Sequence, residues 1–197
     1  MAQVTGRDFE QRGHCVRRWL HSPAAALCLA LTLGSFSRLP CQAADGRLEY
    51  QLKAVFLLNF TKFIEWPSSA FELPDSPITI CVLADDPFGS TLDQVAGGEV
   101  VNGRKVAVQR IKRAPEPRSC QVLFIGGAER NITKTLAGLG PGVLTVGEGE
   151  GFLHGGGMIS FVIDNRRVRF DINQTVAENA RLKVSSRLLS VARLVEK

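Results

Sequence analysis

Three short runs of apolar residues constrain the fold of this chain more than any other feature. They are Ile78–Leu83, Val122–Ile125 and Val143–Val146, and β-branched and aliphatic side chains dominate each of them. Such runs are typical of strands that are buried on both faces of a sheet. Helix-forming segments separate them, at Ser90–Ala96 and Ala128–Leu139. We therefore expect βαβ units and a mostly parallel sheet with helices on its faces.

Further strands are expected beside this set. Lys105–Ile111 alternates apolar and polar residues, as a half-exposed strand does. Met158–Ile163 and Arg167–Ile172 are separated by only three residues, which is the spacing of a hairpin. The sequence predicts an α/β fold with a mostly parallel sheet of about five to six strands, an antiparallel C-terminal hairpin and flanking helices. Its layers resemble a Rossmann fold, but no dinucleotide-binding motif is present.

The first helix is expected over residues 46–65, because Pro67 disfavours the helical conformation in the residue before it. Its apolar side chains cover more than half of its circumference, so more than one side must be covered. Either the helix is sandwiched in the core, or one side meets a second subunit or another partner. One group of apolar residues lies away from the side that carries Leu48, Leu52 and Val55. This candidate interface comprises Leu57, Phe60 and Ile64.

The last segment is expected to form one surface helix from Thr175 to the C terminus. Thr175 and Glu178 have the spacing of a capping box. The apolar residues that follow recur on one stripe, and arginines and lysines occupy the other faces. These basic residues require no ligand, because cations near a helix C terminus are favoured by the helix dipole.

Residues 1–43 have the order of a secretory signal peptide, with arginines before an apolar block at Ala24–Leu33 and small residues after it. The block is shorter than the roughly 20 apolar residues of a membrane-spanning helix. We expect cleavage after Ala43 or Ala44, which leaves residues 44–197 as a single domain. An uncleaved N-terminal anchor is the alternative.

The net charge of +5 belongs mostly to this leader. The rest of the chain carries 19 basic and 17 acidic residues. A balance so close to neutral gives no support to nucleic-acid binding, for which basic residues cluster on one face.

Removal of the leader takes three of the five cysteines and leaves Cys81 and Cys120. In an oxidising compartment, two cysteines suggest one disulfide. On the chain-entropy model, closing the loop of about 40 residues between them would stabilise the fold by roughly 4 kcal/mol. Two buried free thiols are the alternative, since Cys81 lies in an apolar strand where a thiol packs well.

Side chains suited to catalysis are scarce after residue 43. His154 is the single histidine, and no nucleophile elbow, Walker A loop or zinc-protease helix motif occurs. One histidine and two distant cysteines do not have the spacing of a zinc site. We therefore expect no enzyme activity, no cofactor and no metal.

Two other features have candidate roles. Glycine-rich runs at 147–151 and 155–157 resemble phosphate loops superficially, but neither opens a helix after a strand, so we expect a flexible rim above the sheet. Asp85 and Asp86 follow the strand Ile78–Leu83, at the edge where open α/β sheets bind ligands. They form a candidate ligand cleft; the favoured alternative is a turn and helix start.

The chain after the leader resembles the YfiR/HmsC-like periplasmic regulators over essentially its whole length. The resemblance depends on the order and spacing of several short segments, none of which is diagnostic alone. These segments are Tyr50-x-x-Lys53-Ala54, Asn59-Phe60, Phe63-x-Glu65-Trp66-Pro67, Asp86-Pro87-Phe88-Gly89, Leu144-Thr145-Val146, Gly156-Gly157-Met158-Ile159, Arg169-Phe170-Asp171-Ile172-Asn173 and Leu182-Lys183-Val184-Ser185-Ser186.

The resemblance implies a non-enzymatic periplasmic inhibitor that binds the periplasmic sensor domain of an inner-membrane diguanylate cyclase. Such a protein lowers cyclic-di-GMP and restrains biofilm formation. The resemblance also implies a homodimer and redox control through cysteines. Some relatives carry a second cysteine pair flanking the stretch that corresponds to Gly151–Val162, and this sequence has none there. A structural bond between Cys81 and Cys120 is therefore better supported than a redox switch.

A periplasmic sensor that binds a small-molecule ligand at the C-terminal ends of the strands is the alternative function. A hydrolase with an unrecognised site is a third, which the lack of a nucleophile and base disfavours. The first two functions are compatible, because a bound metabolite can change the affinity of a regulator for its partner.

Overall fold

The computed structural model describes residues 42–115, 118–127, 129 and 131–197. Residues 1–41 of the expected leader, with its three cysteines, lie outside the described residues, as do Ala128 and Arg130 of the expected second helix. The helices are α1 (Gln42–Phe63), α2 (Ser90–Ala96), α3 (Ile132–Ala137), α4 (Gly151–His154), α5 (Gln174–Asn179) and α6 (Ser186–Val191). The strands are β1 (Ile64–Glu65), β2 (Ile78–Leu83), β3 (Val100–Val101), β4 (Arg104–Ile111), β5 (Val122–Ile125), β6 (Leu144–Glu148), β7 (Ile159–Asp164), β8 (Arg167–Asn173), β9 (Lys183–Val184) and β10 (Leu194–Glu196).

The main sheet confirms the expected fold class. Its eight strands follow the order β10-β8-β7-β6-β5-β2-β4-β3. Strands β4, β2, β5, β6 and β7 run parallel, and β7 and β8 form the predicted antiparallel hairpin. The sheet has more strands than expected because β3 and β10 join its two edges. These strands have two and three residues, which is too short for a recognisable periodic pattern.

Both faces of the central strands are buried, as their apolar composition predicts. Successive side chains of a strand point to opposite faces of the sheet. Ile80 and Phe124 therefore pack in the cluster that contains α1, whereas Cys81 and Leu123 pack in a second cluster with Phe152. The sheet is a middle layer between two apolar cores.

The first helix ends at Phe63, slightly earlier than expected. Ile64 and Glu65 are extended and pair antiparallel with Val184 and Lys183, so β1 and β9 form a small second sheet. The backbone N–H of Ser185 also donates to the carbonyl of Phe63 at 3.0 Å. Pairing with a distant segment, and not only the proline at position 67, therefore sets the end of α1.

The prediction of one continuous C-terminal helix is wrong. The chain instead forms α5, β9, α6 and β10. Arg181 has a φ of 62°, which breaks the helical path after α5. The cap of α5 is Asn173, whose side chain accepts a hydrogen bond from Val176 N–H, so Thr175 does not begin a capping box. The pairing of β9 with β1 and of β10 with β8 therefore overrides the helical periodicity of this segment.

A disulfide joins Cys81 of β2 to Cys120, which lies just before β5. Their Cα atoms are 5.9 Å apart, and β2 and β5 are neighbouring parallel strands. Both cysteines are buried, at 0% and 1% exposure. The bond therefore links β2 to the residue before β5 within the core. The loop that it closes contains β4.

Parts of the glycine run at 147–151 belong to β6 and α4 and not to a loop rim. Gly147 belongs to β6, and a Cβ there or at Gly157 would overlap the ring of Phe152. Phe152 lies in the short helix α4 and is buried. These two glycines make room for an aromatic ring, so packing explains them better than loop mobility does.

Candidate functional site

Helix α1 buries the side that the sequence assigned to an interface. Leu57 and Phe60 are fully buried, and Ile64 is 1% exposed. The ring of Phe60 stacks on Phe161 with centroids 5.8 Å apart and meets Phe170 edge-on at 5.1 Å. The prediction that these three residues form an interface is therefore wrong, because that side of α1 lies on the sheet.

The exposed apolar side of α1 is the opposite one. Leu48, Leu52 and Val55 are exposed by 66%, 42% and 41%, respectively. Intervals of four and three residues place them on one stripe of the helix. The sequence showed these residues as part of the apolar arc. It did not show which part of so wide an arc faces the sheet.

A groove of about 830 Å³ lies between this stripe and the β7–β8 hairpin. We call it the α1–hairpin groove. Ile163 on the hairpin and Val191 at the end of α6 are 54% and 57% exposed and lie on its walls. Its apolar lining comprises Leu48, Leu52, Phe56, Ile163, Val168, Phe170 and Val191. Large exposed apolar residues gathered around one concave surface are typical of a binding site for another molecule.

Three arginines also line the α1–hairpin groove, namely Arg166, Arg167 and Arg169. All three are exposed, and none forms a salt bridge within the described part of the chain. Glu49 is the acidic residue of the lining, one against three arginines, and it is paired with Lys53. The groove therefore combines apolar walls with an excess of positive charge.

A partly buried cluster around Lys53 fixes the groove wall to the sheet. The ammonium group of Lys53 pairs with Glu49 and donates to Glu148, at the end of β6, at 2.5 Å. It also lies 4.5 Å from the centre of the Tyr50 ring, whose hydroxyl donates to Glu148 at 3.3 Å. Because Glu49 lines the groove, this cluster connects the groove to the C-terminal edge of the sheet.

The cluster shifts two pKa values upward. Burial alone would lower the pKa of Lys53, but its hydrogen bonds to Glu148 and Glu49 outweigh burial and raise the pKa. Burial, followed by the negative charge of Glu148, raises the pKa of Tyr50. At neutral pH the cluster therefore holds a charged lysine and a neutral tyrosine.

The candidate ligand cleft at Asp85 and Asp86 is separate from the groove. The Asp86 carboxylate accepts hydrogen bonds from the backbone N–H groups of Phe88 and Gly89, at 2.8 and 3.2 Å. It also accepts one from Arg110 at 2.9 Å. These are the contacts of a turn before a helix, which the sequence favoured for this pair, while Asp85 is exposed.

The described residues hold no group of three or more His, Cys, Asp and Glu side chains that could bind a metal ion. His154 is exposed at the end of α4. Among the same residues, no helix is long and apolar enough to cross a membrane.

Comparison with known proteins assigns the chain to a family. The family model for YfiR/HmsC-like proteins matches residues 50–193. The chain belongs to this family. The match extends from Tyr50 in α1 to Arg193 just before β10, so it includes the lining residues of the α1–hairpin groove except Leu48 and Glu49. YfiR/HmsC-like proteins are regulatory proteins of the periplasm that take part in diguanylate cyclase signalling.

The chain is also weakly similar to a solved structure. A crystal structure of a conserved domain protein from Vibrio cholerae O1 biovar El Tor strain N16961 is similar at 12% sequence identity and a TM-score of 0.41. The similarity covers 60% of this YfiR/HmsC-like chain and 54% of the Vibrio chain. No curated protein matches.

Proposed function

We propose that this protein binds the periplasmic sensor domain of an inner-membrane diguanylate cyclase and represses it. Repression lowers cyclic-di-GMP and thereby biofilm formation. The observation that carries the proposal is the match to the YfiR/HmsC-like family over residues 50–193. The protein acts by occupying its partner, without a catalytic step.

The α1–hairpin groove is the surface that this function requires. A repressor needs an exposed apolar centre that loses water when the partner binds, because buried apolar contacts supply most of the affinity of an interface. Leu48, Leu52 and Ile163 provide such a centre. The Lys53 cluster holds α1 in place, so the wall that carries Leu52 is ordered before the partner arrives, which reduces the cost of binding.

Capture from host membranes tests the proposal. The exported protein with a C-terminal affinity tag is cross-linked in cells, purified from solubilised membranes and analysed for proteins that co-purify. We expect an inner-membrane diguanylate cyclase among them, and a rise in cyclic-di-GMP when the gene for this protein is deleted. Capture of no cyclase, together with unchanged cyclic-di-GMP in the deletion strain, would exclude the function.

Two expectations from the sequence stay predictions. The first is a homodimer, for which sedimentation should give twice the mass of the mature chain. A small-molecule ligand at Asp85 and Asp86 would shift the melting temperature of the wild-type protein but not that of Asp86→Asn. The second has little support, since Asp86 is already bound to Arg110 and two backbone N–H groups.

A further inference from the structure

We infer that the outer edge of β8 accepts an extended segment of the partner protein as an added strand, in which apolar and acidic residues alternate. The inference rests on the proposed function and specifies how the α1–hairpin groove holds its partner. Three observations carry it: a free stretch of strand edge in the groove, apolar residues on one face of that strand and arginines on the other.

Part of β8 has no strand beside it on its outer side. Strand β10 pairs with Asp171–Asn173 alone, so Arg167–Phe170 has no strand partner there among the described residues. The carbonyl of Phe170 accepts a hydrogen bond from the backbone N–H of Arg193 at 2.9 Å, so the backbone polar groups of Phe170 face away from β7. These groups alternate between the two sides of a strand, so the N–H and C=O of Val168 face the outer side as well. An added strand can form hydrogen bonds with them.

This free edge opens into the α1–hairpin groove. All four residues of the stretch line the groove, although successive side chains of a strand point to opposite faces. A groove that is bordered by both faces of one strand runs along the edge of that strand. The stretch has room for an added strand about as short as β10, which has three residues.

The face of β8 toward α1 requires apolar residues on the added strand. Val168 and Phe170 point to this face and pack in the same core cluster as α1. Every second side chain of the added strand would point the same way, to where Leu48, Leu52 and Val191 are exposed around the groove. Burial of apolar side chains there contributes to affinity.

The opposite face requires acidic residues. Arg167 and Arg169 point to it, are exposed and form no salt bridge within the part of the chain that the structure describes. The other side chains of the added strand would lie beside these arginines, and opposite charges on neighbouring strands stabilise the pairing. Charge complementarity therefore favours carboxylates at these positions.

The same arginines disfavour a second copy of this chain as the occupant. Two copies of β8 related by a twofold axis would form an antiparallel pair, in which residues of the same face lie opposite each other. Arginines of one copy would then lie opposite arginines of the other. Like charges that are directly opposite destabilise a strand pair.

Binding of the cyclase periplasmic domain to the mature protein, measured at low and high NaCl, tests the acidic face of the segment. The double variant Arg167→Glu/Arg169→Glu should weaken binding about tenfold or more and remove most of its salt dependence. The matched control is Lys112→Glu/Arg113→Glu, which makes the same change of charge at exposed positions after β4, five strands from β8 in the sheet. The control should change the dissociation constant less than about twofold. Circular dichroism and melting temperature verify that both variants are folded.

Amide hydrogen exchange in the wild-type complex tests the added strand itself. The N–H of Val168 should exchange about tenfold more slowly, or slower still, when the cyclase domain is bound, because it gains a backbone acceptor. The N–H of Arg169 is the internal control, since it faces β7 and its exchange should change little. On the cyclase domain, we expect protection of an extended segment in which carboxylates and apolar side chains alternate.

Three results would overturn the inference while the cyclase still binds, so that the proposed function stands. They are unchanged exchange of the Val168 amide in a saturated complex, protection of a helical or basic segment of the cyclase domain, and wild-type affinity in the arginine variant. If the wild-type protein does not bind the cyclase domain at all, the proposed function fails as well. Slow exchange of the Val168 amide in a homodimer without the cyclase would assign the edge to self-association and would also overturn the inference.

Discussion

Arg193 holds the last strand of the chain by pairing with Asp171. Its Nε donates to Asp171 Oδ1 at 2.8 Å, and a second hydrogen bond from the same guanidinium reaches Oδ2. Asp171 is 3% exposed, and the backbone N–H of Arg193 donates to the carbonyl of Phe170 at 2.9 Å. This bidentate pairing places β10 beside Asp171–Asn173 of β8, where β10 forms the edge of the sheet.

Replacing Arg193 with Gln should loosen β10. The substitution leaves the buried carboxylate of Asp171 without its cationic partner, and a three-residue edge strand has little else to hold it. We expect faster amide hydrogen exchange over Leu194–Glu196 and unchanged exchange in β5. Arg187→Gln is the control, because Arg187 is exposed on α6 and forms no salt bridge in the described part of the chain. Equal exchange of β10 in the Arg193→Gln variant and the wild type would show that the pair does not hold the strand.

Tyr50 should titrate above pH 10.0 in the folded protein. It is the single tyrosine of the sequence, so the absorbance of tyrosinate reports it alone. Burial, and then the charge of Glu148, disfavour its ionised form and raise its pKa, and denaturation should return the pKa to about 10. Lys53→Met should raise it further, because the Lys53 charge opposes the shift. A native midpoint at or below 10 would contradict the geometry of the cluster.

The same cluster makes stability depend on alkaline pH. The pKa values of Lys53 and Tyr50 are both raised by folding, so each contributes stability that is complete below its ordinary pKa and is lost as pH rises through the folded pKa. The free energy of unfolding should therefore fall above about pH 10. Urea denaturation at pH 8 and pH 11 measures this fall, and it should be smaller in the double variant Tyr50→Phe/Lys53→Met. An equal fall in both proteins would show that the cluster is not its source.

The disulfide should be structural. Cys81 and Cys120 are buried, so a reductant reaches them only when the fold opens. Thiol titration of the mature protein should find no free thiol, even in denaturant without reductant. Cys81→Ala should cost about 2 to 4 kcal/mol of unfolding free energy. Two free thiols in freshly prepared protein would exclude the bond, and rapid reduction of the native protein would assign it a redox role instead.

Phe60→Ala should destabilise the fold by about 3 to 5 kcal/mol, because it removes a fully buried ring that packs on Phe161 and Phe170. Leu52→Ala, on the exposed side of the same helix, should cost less than about 1 kcal/mol. Urea denaturation of both variants measures the contrast. Similar losses would mean that α1 is rotated relative to this orientation.

The sequence predicts the centre of the sheet well. Helix α2 and strands β2 and β5 have the predicted bounds, because buried apolar runs and a short helix after a turn are local signals. The hairpin was predictable for the same reason, because its two strands are close along the chain, with Asn165 and Arg166 as the turn between them. Such features depend on residues that are close together along the chain.

Features that depend on distant contacts could not be predicted. The apolar side chains of α1 cover more than half of its circumference. Periodicity alone therefore does not show whether the side of Phe60 or the side of Leu52 packs on the sheet. The C-terminal segment has a helical pattern that pairing with β1 and β8 overrides. The groove is formed by α1 and a hairpin that lies more than 90 residues further along the chain, so only the folded structure brings its walls together.

Cyclic-di-GMP concentration in cells tests the central claim most directly. A strain without the gene is complemented with the wild type, with Leu52→Glu in the groove, or with Leu73→Glu at an exposed site outside the groove lining, at equal periplasmic levels. We expect the wild type and Leu73→Glu to lower cyclic-di-GMP, and Leu52→Glu to leave it at the level of the deletion strain. A wild type without effect, or a Leu52→Glu variant that represses as the wild type does, would contradict repression through the α1–hairpin groove.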